Sequence, residues 1–314
     1  MSPLLERLGV EVPVVQAGMG GGISRQELAV AVSEAGGLGT IAVNGAAAIL
    51  RELAAARALT GRPLAVNVLL PFARRDWFAA AAAADVVVTF WGKPRRRTPR
   101  VWLHQCGSLD EARAARAAGA DGVIVQGVEA GGHVRGTTPA LQLLEQARSA
   151  LPPDYPVLLA GGIADRDDVR AALEAGADGA VAGTRFLLSE ESRAHPAYKQ
   201  RLLAAEETIL TELFGAGWPA THRVVPNAAT ALGGPRANRL LNHLLAPGAR
   251  YTPAGLQMRM IRAQRPGGRL LTPAGPTDDA PETLVDAGAL YAGETVSRVT
   301  EIRPAADLVC DLAG

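Results

Sequence analysis

The residues of this chain best placed to do chemistry lie in VIVQGVEAGGHVRG, residues 123–136. An apolar run ends at Gln126, and Glu129, the pair Gly131 and Gly132, and then His133 follow at once. Imidazole exchanges a proton near neutral pH, so His133 is a candidate acid or base beside an open surface. The paired glycines bare the backbone where it must turn tightly or touch a flat ligand. Glycines elsewhere suggest a second kind of chemistry: Gly18 with Gly20, Gly21 and Gly22, then Gly161 with Gly162, and Gly183 before Thr184. Such pairs expose backbone N–H groups to an anion, so a phosphate-bearing cofactor is the natural occupant. Ile23 stands where a dinucleotide fingerprint would need its third glycine, and no Walker A sequence occurs. A nicotinamide Rossmann site and nucleotide hydrolysis are therefore disfavoured.

These residues have to be positioned by a repeated unit of strand and helix. Apolar runs predict strands at 12–16, 39–43, 64–68, 86–90, 101–106, 122–125, 157–160 and 179–182. Between them the patterns predict helices at 24–35 with Ser24 as N-cap, at 46–59, 74–84 and 139–150, at 165–175, and one ending at Gly119 that starts from a Ser108/Glu111 capping box. AAGADGVIV at 117–125 is echoed by EAGADGAVA at 174–182, and more weakly by EAGGLGTIAV at 34–43. Each reads as a helix end, a left-handed glycine, a turn and a buried strand, so the repeat is architecture and Asp121 and Asp178 carry no site. Strict alternation predicts an α/β fold, a (β/α)8 TIM barrel, whose ligand site lies at the C-terminal ends of the strands. That rim gathers the glycine clusters, Asn67, Trp91, Gln126 and His133. Residues 91–100 contain Pro94 and Pro99 and are too few for a helical crossover, so a loop is expected there. Residues 1–189 and 286–314 are expected to form the barrel and 190–285 an inserted, mostly helical cap, with helices at 196–211, 235–245 and 253–263. The segment 289–312 reads as an amphipathic helix after Glu294 that closes the barrel wall.

Composition narrows the classes. The 314 residues carry a net charge of +1, and the one basic run, KPRRRTPR at 93–100, is short and broken by proline, so it reads as a solvated loop. Neither a nucleic-acid surface nor a polybasic membrane contact is expected. Glu6 and Arg7 interrupt what would be a signal-peptide core, and the apolar stretch 77–91 is too short to span a bilayer. With two distant cysteines, Cys106 and Cys310, a disulfide framework and a metal site are not expected, and a reduced, cytoplasmic setting is. His104, Trp91 and Trp102 read as packed groups, Cys106 as a group near the cofactor with nothing beside it to make it a nucleophile, and His195, His222 and His243 as surface or capping groups of the cap.

The ordered set VVQAGMG, VNVLLPF, QGVEAGGH, LLAGGIAD and AGTRFL resembles the nitronate monooxygenase family, formerly 2-nitropropane dioxygenases, from about residue 13 to 188. The tail YAGETVSRVTEIRPAADLV is similar to the family's closing helix. The resemblance implies an FMN-containing barrel that oxidises alkyl nitronates or nitroalkanes with molecular oxygen. It implies that His133 is the catalytic base, and that the backbone at Gly18, Met19 and Gly20, together with Asn67, Gln126 and Gly131, lines the flavin. It also implies that backbone amides at Gly161, Gly162, Ala182, Gly183 and Thr184 hold the phosphate. Val181 and Ala182 depart from the Gln-Met or Gln-Ile found in many members, which removes side-chain hydrogen bonding there. Flavin-dependent enoyl-acyl-carrier-protein reductases, which use NAD(P)H, share most of these motifs and form the alternative. A flavin-binding protein without turnover is the alternative of another class. A small-molecule substrate, with a homodimer through the cap, completes the expected partners.

Overall fold

Runs such as VVVTF and GVIVQ are apolar at successive positions, as a strand covered on both faces requires. The computed structural model describes residues 3–234, 236–249, 251–252 and 254–314. In it, β1 (Val14–Gln16), β2 (Gly39–Ile41), β3 (Leu64–Leu69), β4 (Val86–Phe90), β5 (Val101–Cys106), β6 (Gly122–Gln126), β8 (Val157–Ala160) and β9 (Gly179–Ala182) form one parallel sheet. Its order is β1-β9-β8-β6-β5-β4-β3-β2, and a parallel bridge between Val15 and Leu38 joins the two ends into the (β/α)8 barrel. The remaining short strand, β7 (Gly132–His133), belongs to a separate antiparallel sheet with β10 (Ile209–Thr211) and β11 (His222–Val224).

Alternation sorts the side chains. Val15, Ala65, Val88, Leu103, Ile124, Leu158 and Val181 fill the barrel interior, which Leu4 and Leu5 of the first helix, Pro3–Arg7, plug from below. Their neighbours Val14, Val123, Val125, Val157, Leu159 and Ala180 face outward onto the helices, among them Leu308 and Val309 of the last helix, Ala305–Ala313. The barrel is a packed core, which leaves its upper rim for ligands.

The repeat keeps the architectural role read from it. Gly36, Gly119 and Gly176 take φ of 89°, 86° and 97° after their helices. Asp85, Asp121 and Asp178 each accept from a backbone N–H at the start of a neighbouring strand, Leu64, Trp102 and Val157 respectively. Arg57, Arg96 and Arg148 pair with those carboxylates. The connection 91–100 contains no helix, and it is more than a solvated loop. Arg96 reaches Asp121, Arg100 donates to the Ala82 carbonyl at 2.7 Å, and the Arg97 guanidinium lies over the Phe78 ring.

Several boundaries differ from the sequence pattern. The expected helix 196–211 ends at Leu203, because the following residues extend into β10 and pair with β11. The helix expected at 235–245 runs instead over Arg239–Ala249, past Pro247, after Asn238 has taken a left-handed φ of 64°. The helix expected at 253–263 is Ala254–Arg262. The starting residues assigned to these two helices, Pro235 and Pro253, lie outside the described residues. The tail is two elements, a 3-10 turn Glu294–Arg298 and the helix Ala305–Ala313, separated by an extended stretch that Pro304 ends. No described helix is long and apolar enough to cross a membrane.

Candidate active site

A cavity of about 1330 Å3 opens at the C-terminal ends of the barrel strands. It exceeds the roughly 300–1,000 Å3 of an ordinary small-molecule pocket, so it has room for a cofactor and a second ligand together. Its wall includes Gly18, Met19, Gly20, Asn67, Gln126, Gly131, His133, Gly161, Gly162, Gly183 and Thr184. Of the site residues expected from sequence, Ala182 alone is not brought there. It is fully buried, packs in the outer helical core, and accepts from the Ala17 N–H through its carbonyl.

The loop after β1 is held from beneath. Ser24 does not cap the helix Gln26–Glu34, whose N-cap is Arg25. Its hydroxyl instead accepts from the Met19 N–H at 3.0 Å and from Gln16 Nε2 at 2.9 Å, while Gln16 Oε1 accepts from the Thr40 N–H at 2.8 Å. The nearest atom to a Cβ added at Gly18 would be Asn67 Cβ, at 2.4 Å. Only glycine lets Asn67 lie against this loop and donate through Nδ2 to the Gly18 carbonyl at 3.2 Å. Asn67 Oδ1 is then buried without a hydrogen-bond partner. Across the cavity Gly161 and Gly162 take φ of 106° and 79°, and a Cβ at Gly162 would meet nothing within 4 Å. That combination leaves bare backbone at the rim beside Gly183 and Thr184.

The loop after β6 carries the titratable group. Gly131 is required for close approach, since a Cβ there would come within 2.5 Å of the Ala292 carbonyl carbon. Glu129 accepts from the Ala140 N–H through both carboxylate oxygens and so caps the helix Ala140–Ala150. The Gln126 amide donates to the His133 carbonyl at 3.1 Å and accepts from the Arg135 N–H at 3.3 Å. Gln126, expected from the sequence to contact the cofactor, lines the cavity, and its side chain also braces the loop. His133 pairs with His222 across β7 and β11. Its ring lies flat on Trp218, with centroids 3.6 Å apart and planes 10° apart, and is ringed by Trp91, His222 and Tyr291. His133 Nε2 is buried without a hydrogen-bond partner. Burial, with a smaller contribution from His222, holds His133 well below the usual imidazole range, so the ring is a neutral base at physiological pH.

Three of the other histidines have hydrogen-bond partners. His104 Nδ1 lies 2.7 Å from the Thr89 hydroxyl, which accepts from Trp102 Nε1. His222 has Nδ1 2.9 Å from the Ala220 carbonyl and accepts from the Phe214 N–H through Nε2; it is a core group rather than a surface one. His195 caps the helix Pro196–Leu203 by accepting from the Ala197 N–H, and His243 is exposed. Cys106 is buried with its thiol pushed up by burial, and it does not line the cavity. Trp91, at a strained φ of 66°, stands behind Trp218 and His133 rather than on the wall. Sequence reasoning missed Trp218, Tyr291 and Phe72, all of which line the cavity. The available signal for Trp218 was a large aromatic set among Gly215, Gly217 and Pro219.

Known proteins with this arrangement form a consistent group. The nitronate monooxygenase family model matches residues 1–92 and 93–314. A nitronate monooxygenase of Pseudomonas aeruginosa is 36% identical over 270 residues, spanning 65% of this chain and 74% of that protein. The structure of FabK from Thermotoga maritima superposes with a TM-score of 0.79 at 27% identity, covering 99% of this chain and 94% of its own. A nitroalkane oxidase from Streptomyces ansochromogenes superposes with a TM-score of 0.77 at 30% identity, covering 99% and 97%.

Proposed function

The chain belongs to the nitronate monooxygenase family, and we propose on that premise that it is an FMN-dependent oxidoreductase that oxidises alkyl nitronates and nitroalkanes with molecular oxygen. The observation that carries the reading is His133: a neutral imidazole with an unpartnered Nε2, on the wall of a cavity with room for two ligands. The wall also suits a flavin. Asn67 Oδ1 is a buried acceptor awaiting a donor such as the N–H of a flavin ring, and Gly18 keeps that asparagine pressed to the cavity. Gly161, Gly162, Gly183 and Thr184 offer backbone for the phosphate, and Gly131 brings residues 292–293 against the same loop. Bound there, FMN would supply the electron transfer and the reaction with oxygen that no side chain here can perform.

His133 removes the proton on the carbon bearing the nitro group, leaving a nitronate. The transfer leaves an imidazolium beside a nitronate, so the attraction within that pair, with backbone N–H groups of the glycine-rich wall, has to offset the burial that disfavours each charge. A substrate supplied as the nitronate bypasses this step. The segment 190–285 is the cap of this site, closing it from above through Trp218, Leu245, Met258 and Ile261.

That same cap favours a second reading, an NAD(P)H-dependent reductase of enoyl thioesters, because Leu245, Met258 and Ile261 give the cavity apolar wall that would suit an acyl chain. One experiment separates the readings: an absorbance spectrum of the purified protein reconstituted with FMN, then anaerobic addition of an alkyl nitronate or of NADPH. Flavin reduced by nitronate and reoxidised in air is the expected result. Reduction by NADPH alone supports the reductase, and a flavin that responds to neither supports a binding protein without turnover.

A further inference from the structure

A catalytic histidine is ordinarily held in place by a hydrogen bond to one of its ring nitrogens, often from a carboxylate. His133 has no such orienter at Nε2, which is buried without a partner among the described residues. What touches it instead is the flat face of Trp218, with centroids 3.6 Å apart and planes 10° apart. Trp218 is itself wedged. Phe72 meets it edge-on at 5.5 Å and 85°, and Trp91 at 5.2 Å and 90°. Trp91 is pinned in turn, at φ 66° and under the Arg135 guanidinium 4.8 Å from its ring. Trp218 comes from the loop between β10 and β11, so the segment that roofs the cavity also supplies the surface on which the imidazole rests.

We propose that Trp218 is the positioning residue for His133: its indole face, in place of a hydrogen-bonding partner, fixes the plane of the imidazole and excludes water from it. The inference deepens the reading of His133 as the base and rests on it. The other titratable or charged groups near the stack are His222 from β11, Tyr291 at the start of the tail, and, on the same loop as His133, Glu129 on the cavity wall and Arg135 over Trp91. Glu129 is engaged at the Ala140 N–H, Arg135 is paired with Glu111, and His222 and Tyr291 are neutral, so no carboxylate competes with the stack. Burial is the largest cause of the lowered basicity of His133. Opening the ring to water therefore raises it, outweighing the lost attraction between an imidazolium and the indole face.

The test compares Trp218→Ala with Trp218→Phe, which keeps a stacking face, in FMN-loaded protein; Trp218→Leu, which fills volume without a face, stands in should the alanine variant unfold. NMR titration of the His133 ring without substrate should show its midpoint about one pH unit or more higher in the alanine or leucine variant, and close to wild type in the phenylalanine variant. The ratio of kcat/KM for a neutral nitroalkane to that for its nitronate should fall about 10-fold in the former and recover in the latter, because only the nitroalkane needs a correctly aimed base. An unmoved midpoint, or a phenylalanine variant as defective as the alanine one, overturns the proposal. Wild-type protein that oxidises neither substrate defeats the functional reading, and the His133 midpoint still decides whether Trp218 positions the ring.

Discussion

Two regions of this molecule bring a histidine and a tryptophan together, and only one of them leaves hydrogen-bonding capacity unused. Behind the barrel wall, Thr89 on β4 accepts from Trp102 Nε1 at 2.7 Å and sits 2.7 Å from His104 Nδ1, both partners on β5. At the cavity, Trp218 covers His133 face to face, and both His133 Nε2 and Trp218 Nε1 are buried without partners. Both histidines are buried, and both are held neutral by burial, His104 with its pKa lowered to about 4. Burial and a lowered pKa therefore do not tell a structural histidine from a functional one. What differs at the cavity is a buried, unpartnered ring nitrogen on a residue that lines it, and that makes His133 the candidate to test.

The comparison breaks most decisively at His133. His133→Asn should lower kcat/KM for a neutral nitroalkane by about 10²- to 10⁴-fold, the usual worth of a positioned base, with the flavin still bound. Oxidation of the preformed nitronate should change far less. Steady-state oxygen uptake with each substrate checks this, and equal losses on both would remove His133 from the proton-transfer role.

On the other side, Thr89→Val should cost stability and leave chemistry alone. Valine matches the shape of threonine but leaves the Trp102 indole N–H and His104 Nδ1 unpaired in the core, at about 1–3 kcal/mol for each buried group stranded. Urea unfolding would report the loss, while kcat/KM of the folded protein stays near wild type. A matching loss of turnover would mean that the His104 cluster reaches the site after all.

How legible this contrast was in the sequence follows from the range of the interactions. The barrel was readable because its determinants are local: AGADG encodes a helix stop, a turn and a strand within a few residues, and Asp121 and Asp178 do their work on the adjacent strand. The place of His133 at the rim was readable because the glycine pair before it stands in the same loop. Ser24 was misread because its three-residue spacing to Glu27 imitates a capping box, whereas its hydroxyl is used by Gln16 at the end of β1 and by Met19 in the loop that follows. Trp218 and Tyr291 lie 85 and 158 residues beyond His133 in the chain, as their numbers show, and no local pattern places them against it. The strand pairing of β11 with β7, which brings them there, is two residues long and has no sequence signal of its own.

The smallest effect concerns pH, and it is where the two regions should look alike. His104 has a folded pKa of about 4, lowered by burial against an opposing pull from Glu111, compared with an ordinary value of 6.5. The folded protein keeps this ring neutral while the unfolded chain takes up a proton as pH falls below 6.5, so stability is intact above that pH and declines between 6.5 and 4. One such group contributes about 1 kcal/mol of loss per pH unit in that window. Unfolding measured at pH 7.5 and 5.5 should therefore show a drop that His104→Gln reduces by about 1 kcal/mol. Substitution of His133, whose shift has the same sign and the same leading cause, should reduce it too. If only one of the two substitutions flattens the pH response, the two rings are not equally sealed from water, and the claim that burial treats them alike fails. If both do, stability measurements are blind to the difference between them, and turnover of the nitroalkane by each variant is what tests the proposed role of His133 against a structural role for His104.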